Sequence, residues 1–216
     1  MKRSLFRATT SLTFGLLFVG ALAGCGGATT PNGGSAPAPS PTVAVDRQAA
    51  GLMCAPVGDC GVGDIGPGGG VVFYDAGSTQ PWGRYMEAAP AGWNGGSEDP
   101  NVEWCTDGTG TRKEHPFDIG SGATNTQIEL NQCPSGAGAL AAGYRGGGKS
   151  DWFLASKDEL NELYEQRETV GGFGNHGYWS SSQDDLRFAC SQFFPSGNQG
   201  ENNKWAKLGV RPIRVF

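Results

Sequence analysis

The stretch that most constrains this chain is residues 150–167, SDWFLASKDELNELYEQR. Trp152, Phe153 and Leu154 form a short apolar run that stops at Ser156. The Ser156 hydroxyl can accept from the open amides of the next turn while Glu159 reaches back, which is the pattern of a capping box. Leu160, Leu163 and Tyr164 recur at helical spacing, and Arg167 stands near the end of the turns, where a positive charge suits the helix dipole. The spacing predicts an extended run followed by a capped, one-faced helix of about three turns. A helix this short is marginal alone in water, so its stripe needs a sheet. Residues 178–182 (YWSSS) and 210–216 (VRPIRVF) supply one.

The first residues set the compartment. Lys2, Arg3 and Arg7 make a basic start, residues 11–22 are mostly apolar yet short for a membrane span, and Leu22-Ala23-Gly24-Cys25 follows. This resembles a bacterial lipoprotein signal with its lipobox. The resemblance implies a signal peptide over residues 1–24, diacylation of the Cys25 sulfur and acylation of its new amino group. Several acyl chains would then hold the protein on a membrane. Residues 26–46, GGATTPNGGSAPAPSPTVAVD, have no apolar period and read as a tether after Cys25. The folded part is expected within residues 47–216, enough for one domain with its own core.

Charge excludes some functions. The chain carries 16 bases against 21 acids, and loss of Lys2, Arg3 and Arg7 with the leader leaves 13 bases, a net charge near −8. That sign argues against sequence-independent binding of nucleic acid or anionic lipid. Glycine supplies 37 of the 216 residues without a three-residue period, so turns and irregular loops are expected in place of a collagen-like helix.

Six cysteines in an exported chain point to disulfides. Cys54 and Cys60 can close a small loop, and Cys105 and Cys133 flank a polar insertion that a staple would steady. With Cys25 given to lipid, Cys190 is expected to be free and buried in a strand. Zinc binding is disfavoured, because only His115 and His176 accompany a lone C-x5-C.

Along the chain, strands are expected at 71–75 and 84–88 as a hairpin, with loops over 90–118 anchored by Trp93 and Trp104. Helices are expected at 124–132 and 137–144. Beyond the central helix come a glycine-rich loop at 171–177, strands at 178–182 and 186–194 with Phe188, Cys190 and Phe193 inward, and one closing strand at 207–216. Trp152, Trp179 and Trp205 read as packing residues, whereas Trp82, Trp93 and Trp104 could stack on a sugar or a partner.

Several chemical motifs fail on context. GYRGGGKS at 143–150 satisfies the phosphate-loop pattern, but a helix precedes it and the extended Asp151-Trp152-Phe153 follows, so it reads as a glycine turn and no nucleotide is expected. GPGGG at 66–70 precedes its strand and is also a turn. No Ser or Cys stands in a nucleophile's setting. Asp158 and Glu159 open a helix, and Asp184 and Asp185 occupy a turn, so both pairs read as structural.

In order along the chain, GDIGPGGGVVFYD, YMEAAP, IGSGATNTQ, SDWFLASKDELNELY, GYWSSSQ and VRPIRVF resemble the Lcl C-terminal domain family, a bacterial domain found in a collagen-like surface adhesin. The same skeleton is more distantly similar to formylglycine-generating-enzyme-like and C-type-lectin-like folds. The resemblance implies an α+β domain with a twisted antiparallel sheet, two or three helices and long ordered loops. It also implies adhesion, with glycosaminoglycan binding and trimerisation in the adhesin. This chain lacks the collagen-like stalk and is acidic. The copper-binding cysteine pair of the enzymatic relatives has only Cys190 to match it.

The expected function is therefore a lipid-anchored, outward-facing envelope protein with a non-catalytic module that binds a glycan or a surface protein. Arg145, Lys149 and Asp151 around the glycine turn, with Trp93, are the candidate binding residues. The alternatives are a purely structural envelope component, or an envelope enzyme holding a metal, calcium being the plausible ion, on loop acids such as Asp99, Glu103 and Asp107.

Overall fold

The computed structural model describes Cys25 and residues 53–54, 59–106 and 115–216. The expectations for residues 1–24, 26–46 and the loop tip at 107–114 lie outside these. Within them the chain is α+β: four helices and two sheets.

The first sheet grows from a hairpin. Strand β1 (Val71–Gln80) pairs antiparallel with β2 (Gly83–Ala88), with its β-branched and aromatic start facing the core. The final strand β9 (Pro212–Val215) lies on β2, and the two-residue β4 (Phe153–Leu154) closes the order β1-β2-β9-β4. The second sheet has the order β3-β8-β5-β6-β7, made of β3 (Asn101–Glu103), β8 (Lys207–Gly209), β5 (Gly177–Gln183), β6 (Phe188–Phe193) and β7 (Asn198–Asn203). Its β5–β8 pairing is parallel and the others are antiparallel.

Two expectations about the sheets are corrected. There are two sheets in place of one, and residues 207–216 make two strands in place of one closing strand. The backbone explains the split: Leu208 and Gly209 bond to the second sheet, whereas Ile213 and Arg214 lie opposite Ala88 and Glu87 in the first. Arg211 stands at the crossing.

The helix foreseen from the capping box is α3 (Lys157–Glu165). Ser156 Oγ accepts from the Glu159 amide at 3.3 Å, and the Glu159 carboxylate accepts from the Ser156 amide at 2.7 Å. Arg167 is not in its last turn but opens the short α4 (Arg167–Val170). Glu159 is fully buried and also accepts from the amides of Gly120 and Gly122, which fixes the start of α1 (Gly122–Leu130). Burial pushes its carboxyl up to about 7, against the opposing pull of those amides. The remaining helix, α2 (Ala137–Gly143), buries small residues.

Two apolar clusters result. Phe73, Met86, Phe153, Leu160, Leu163, Tyr178 and Ile213 pack beneath α3. Trp104, Leu154, Trp179, Ala137, Ala141 and Val210 form the other around the Cys105–Cys133 disulfide. Neighbouring residues of β4 serve different clusters, because successive strand side chains point opposite ways.

Both arginines of VRPIRVF are spent internally. Arg211 is buried and meets Asp99 at 2.7 Å; Asp99 also accepts from Trp93 Nε1 and the Tyr178 hydroxyl. The rest of its guanidinium donates to the carbonyls of Ala89, Gly171 and Gly172. Arg214 bridges buried Glu87 at 2.8 Å and Asp151 at 2.5 Å, while Glu87 accepts from the amides of Gly68 and Gly70. Removing one partner of such a pair strands the other charge in the interior. Arg211→Met is expected to cost about 3–5 kcal/mol of folding stability. Urea denaturation measures it, and a loss below about 1 kcal/mol would remove the pair from the account of stability.

Candidate functional site

The residues singled out from the sequence gather around one corner, but most of their polar groups are already engaged. Trp93 donates to Asp99 at 2.9 Å, and its ring meets Tyr144 edge-on at 5.3 Å, which in turn meets Trp152 at 4.8 Å. Arg145 donates to the carbonyls of Ala142 and Tyr144, and Asp151 is bound to Arg214. Lys149 and exposed Arg145 flank a tight turn, Gly146–Gly148, in which Gly147 has φ 58° and sits so close to Gly68 that a Cβ would lie 2.6 Å from its backbone. The Gly148 and Lys149 amides are spent on Arg145 and Gly146 carbonyls, and the extended β4 follows. That geometry is a stiff corner between two glycine turns, not a cradle of open amides on a helix.

Of the acids proposed for a metal, Asp99 and Glu103 lie among the described residues. Asp99 gives both oxygens to Arg211, Tyr178 and Trp93. Glu103 lies in β3, and Asp107 is outside the described residues. Among the described residues, the one group of three metal-type ligands is Cys25, Asp184 and Glu201, and its sulfur is bonded to Cys190.

The cysteine pairs named from spacing, Cys54–Cys60 and Cys105–Cys133, are joined. Cys190 is buried in β6 but is not free. It is bonded to Cys25, which corrects the expectation that it stands alone.

Exposure of the aromatic rings reverses part of the reading from sequence. Trp104 is core, 2% exposed, because its indole N–H reaches the Ser180 carbonyl at 2.8 Å. Trp205, taken as packing, is 56% exposed, and Phe193, taken as inward, is 46% exposed. Among the described residues these two are the exposed phenylalanine and tryptophan rings.

Phe193 borders a cleft, and Trp205 lies outside its lining. This cleft, of about 420 Å³, opens on the second sheet, lined by His176, Gly177, Ser191, Phe193, Asn198, Gln199, Gly200, Asn202 and Leu208. Its floor is low because small residues occupy successive strands: Ser191 lies opposite Gly200, and Gly177 opposite Phe193. A Cβ on Gly200 would meet nothing within 4 Å. Asn202 is steadied by its bond to Ser191 Oγ at 2.8 Å. Trp205 stands in the turn between β7 and β8, the strands that supply Asn202 and Leu208. No Lys, Arg, Asp or Glu lines the cleft. A second cleft of about 380 Å³ lies along Gly171, Gly172 and Phe173, rimmed by Arg167 and Glu168.

Sequence reasoning passed over this face, although one signal was present. Phe193 and Phe194 are consecutive, and in extended chain they must point opposite ways, so one of the two faces outward. Phe194 is buried against Tyr178 at 4.4 Å, leaving Phe193 outside.

A group of titratable residues is closed to solvent around Trp104. Lys204 Nζ lies 4.5 Å from the Trp104 ring and donates to Gln183 Oε1 and the carbonyls of Asp185 and Leu186. His115 bonds the Ser181 carbonyl through Nδ1, and Glu129 accepts from the Gly138 amide. All three are at most 2% exposed, so they belong to the interior. Burial lowers the Lys204 amine to about 8 and depresses the His115 imidazole.

No family model matches the chain, and no curated protein matches it.

Burial pushes the Glu129 carboxyl from 4.5 up to about 8, against weaker opposing effects of the Gly138 amide and the Lys204 charge. The folded state therefore holds this proton more tightly than the unfolded chain. Stability from Glu129 is complete below pH 4.5 and drains away as pH rises to about 8. Glu129→Gln, which keeps the neutral shape, is expected to gain in Tm on the parent chain across that interval. A Tm difference independent of pH would refute the assignment.

Proposed function

We propose that this chain is a recognition module displayed on the cell envelope, which binds a saccharide without transforming it. This extends the resemblance to the Lcl C-terminal domain family and, more distantly, to lectin-like folds. One observation carries the reading: the exposed Phe193 ring borders a cleft lined by amides and small residues. An aromatic face stacks on the apolar face of a sugar ring, while side-chain amides donate to and accept from its hydroxyls. The volume of about 420 Å³ falls within the range of small-ligand sites. With no Lys, Arg, Asp or Glu in the lining, a neutral saccharide fits better than a sulfated or phosphorylated one.

The anchor in this proposal is the lipobox-like Leu22-Ala23-Gly24-Cys25, which would place the module outward on a lipid. Among the described residues no helix is long and apolar enough to cross a membrane. Metabolic labelling with palmitate tests the anchor separately from the ligand.

Neutral oligosaccharides on a glycan array are expected to bind the folded domain. Phe193→Ala should lose about 2- to 10-fold in affinity, from roughly 0.5–1.5 kcal/mol for its ring contact. The Phe193 ring is exposed, so Tm should hardly move. Arg145→Ala/Lys149→Ala should bind as the parent does. An array with no neutral sugar bound, or binding indifferent to Phe193, would overturn the assignment.

A further inference from the structure

Cys190 lies within β6, fully buried, opposite Glu201 of β7. Its partner Cys25 is 165 residues away in sequence, with the two Cα atoms 5.6 Å apart. The Cys25 position is built on more than the sulfur. The Glu201 carboxylate accepts from its backbone amide, and Asp184 lies beside them. The other four cysteines are already joined to one another, so Cys190 has no alternative partner within the chain.

Sulfur in these compounds is divalent. A diacylglyceryl thioether uses one valence for Cβ and the other for the glyceryl carbon, leaving nothing for Cys190. We propose that Cys25 has two exclusive fates, a lipid thioether or the disulfide to Cys190, and that these define an anchored and a released form of the protein. The proposal rests on the lipid-anchor reading.

The two reactions draw on different co-reactants. In the first, the Cys25 thiolate forms a carbon–sulfur bond to a phospholipid's diacylglyceryl carbon, the phosphorylated headgroup leaves, and no electrons are exchanged. In the second, Cys25 and Cys190 each lose a proton and one electron, and both electrons reduce the disulfide of an envelope thiol oxidant. In the anchored form Cys190 remains a thiol.

The test uses the full chain made in a bacterium that lipidates envelope proteins, followed by separation of membrane and soluble fractions. Intact mass, maleimide titration after denaturation without reductant, and non-reducing peptide mapping are read on each. The membrane form is expected to carry the acyl mass and one thiol, mapping to Cys190. The soluble form is expected to carry neither, and to yield a cross-linked peptide containing Cys25 and Cys190. Cys190→Ser should abolish that peptide and leave the acylated form intact. Acylated protein without a free thiol, or no Cys25–Cys190 peptide in any fraction, overturns the proposal while sparing the anchor. A cross-linked chain with no acyl mass anywhere overturns the anchor and the proposal together.

Discussion

The interaction on which the rest depends is the buried contact of Arg211 with Asp99. Arg211 sits where the chain leaves one sheet for the other, and its guanidinium meets an acid from the loop before β3 and carbonyls from two further loops. A charge removed from water has to find that many partners, so the pair gathers segments with little regular structure of their own. Tyr178 and Trp93 complete the acid's shell and tie β5 and the Trp93 loop to the same point. Arg214, three residues on, does the same for the two glycine turns through Glu87 and Asp151. A glycine-rich chain can hold long ordered loops in this way without long helices.

What was legible in the sequence was local. Ser156 and Glu159 are three residues apart, so their reciprocal bonds depend on nothing beyond a single turn, and α3 begins where they place it. The hairpin of β1 and β2 was legible for the same reason. The division of residues 207–216 between two sheets was not, because the choice is made by partners more than a hundred residues away. Trp104 shows the same limit: it is interior because a carbonyl 76 residues later takes its N–H. Loop position says nothing about that. The cleft was hidden because its floor consists of what is missing, the side chains of Gly177 and Gly200, and an absence leaves no periodicity to detect.

The two faces of the second sheet divide the labour of the domain. One face carries Tyr178 and Gln192, with Gln192 bonded to Asn161 of α3, and buries the larger apolar cluster. The other presents Phe193, Asn198 and Asn202 to solvent. Rigidity on the first face makes the second pre-organised, so a ligand there would order few side chains on binding. In the corner chosen from sequence, Asp151 is tied to Arg214 of the framework that holds the glycine turns.

Strand β4 has two residues, and they look in opposite directions: Phe153 into the cluster beneath α3, Leu154 into the one around the tryptophans. It acts as a keystone between two rooms, since inserting or deleting a single residue just before it would send each ring or branch through the wrong door. Length changes that surface loops absorb with ease become lethal here. This chain can therefore tolerate longer loops while the spacing from Trp152 to Ser156 is fixed by what Phe153 and Leu154 pack against.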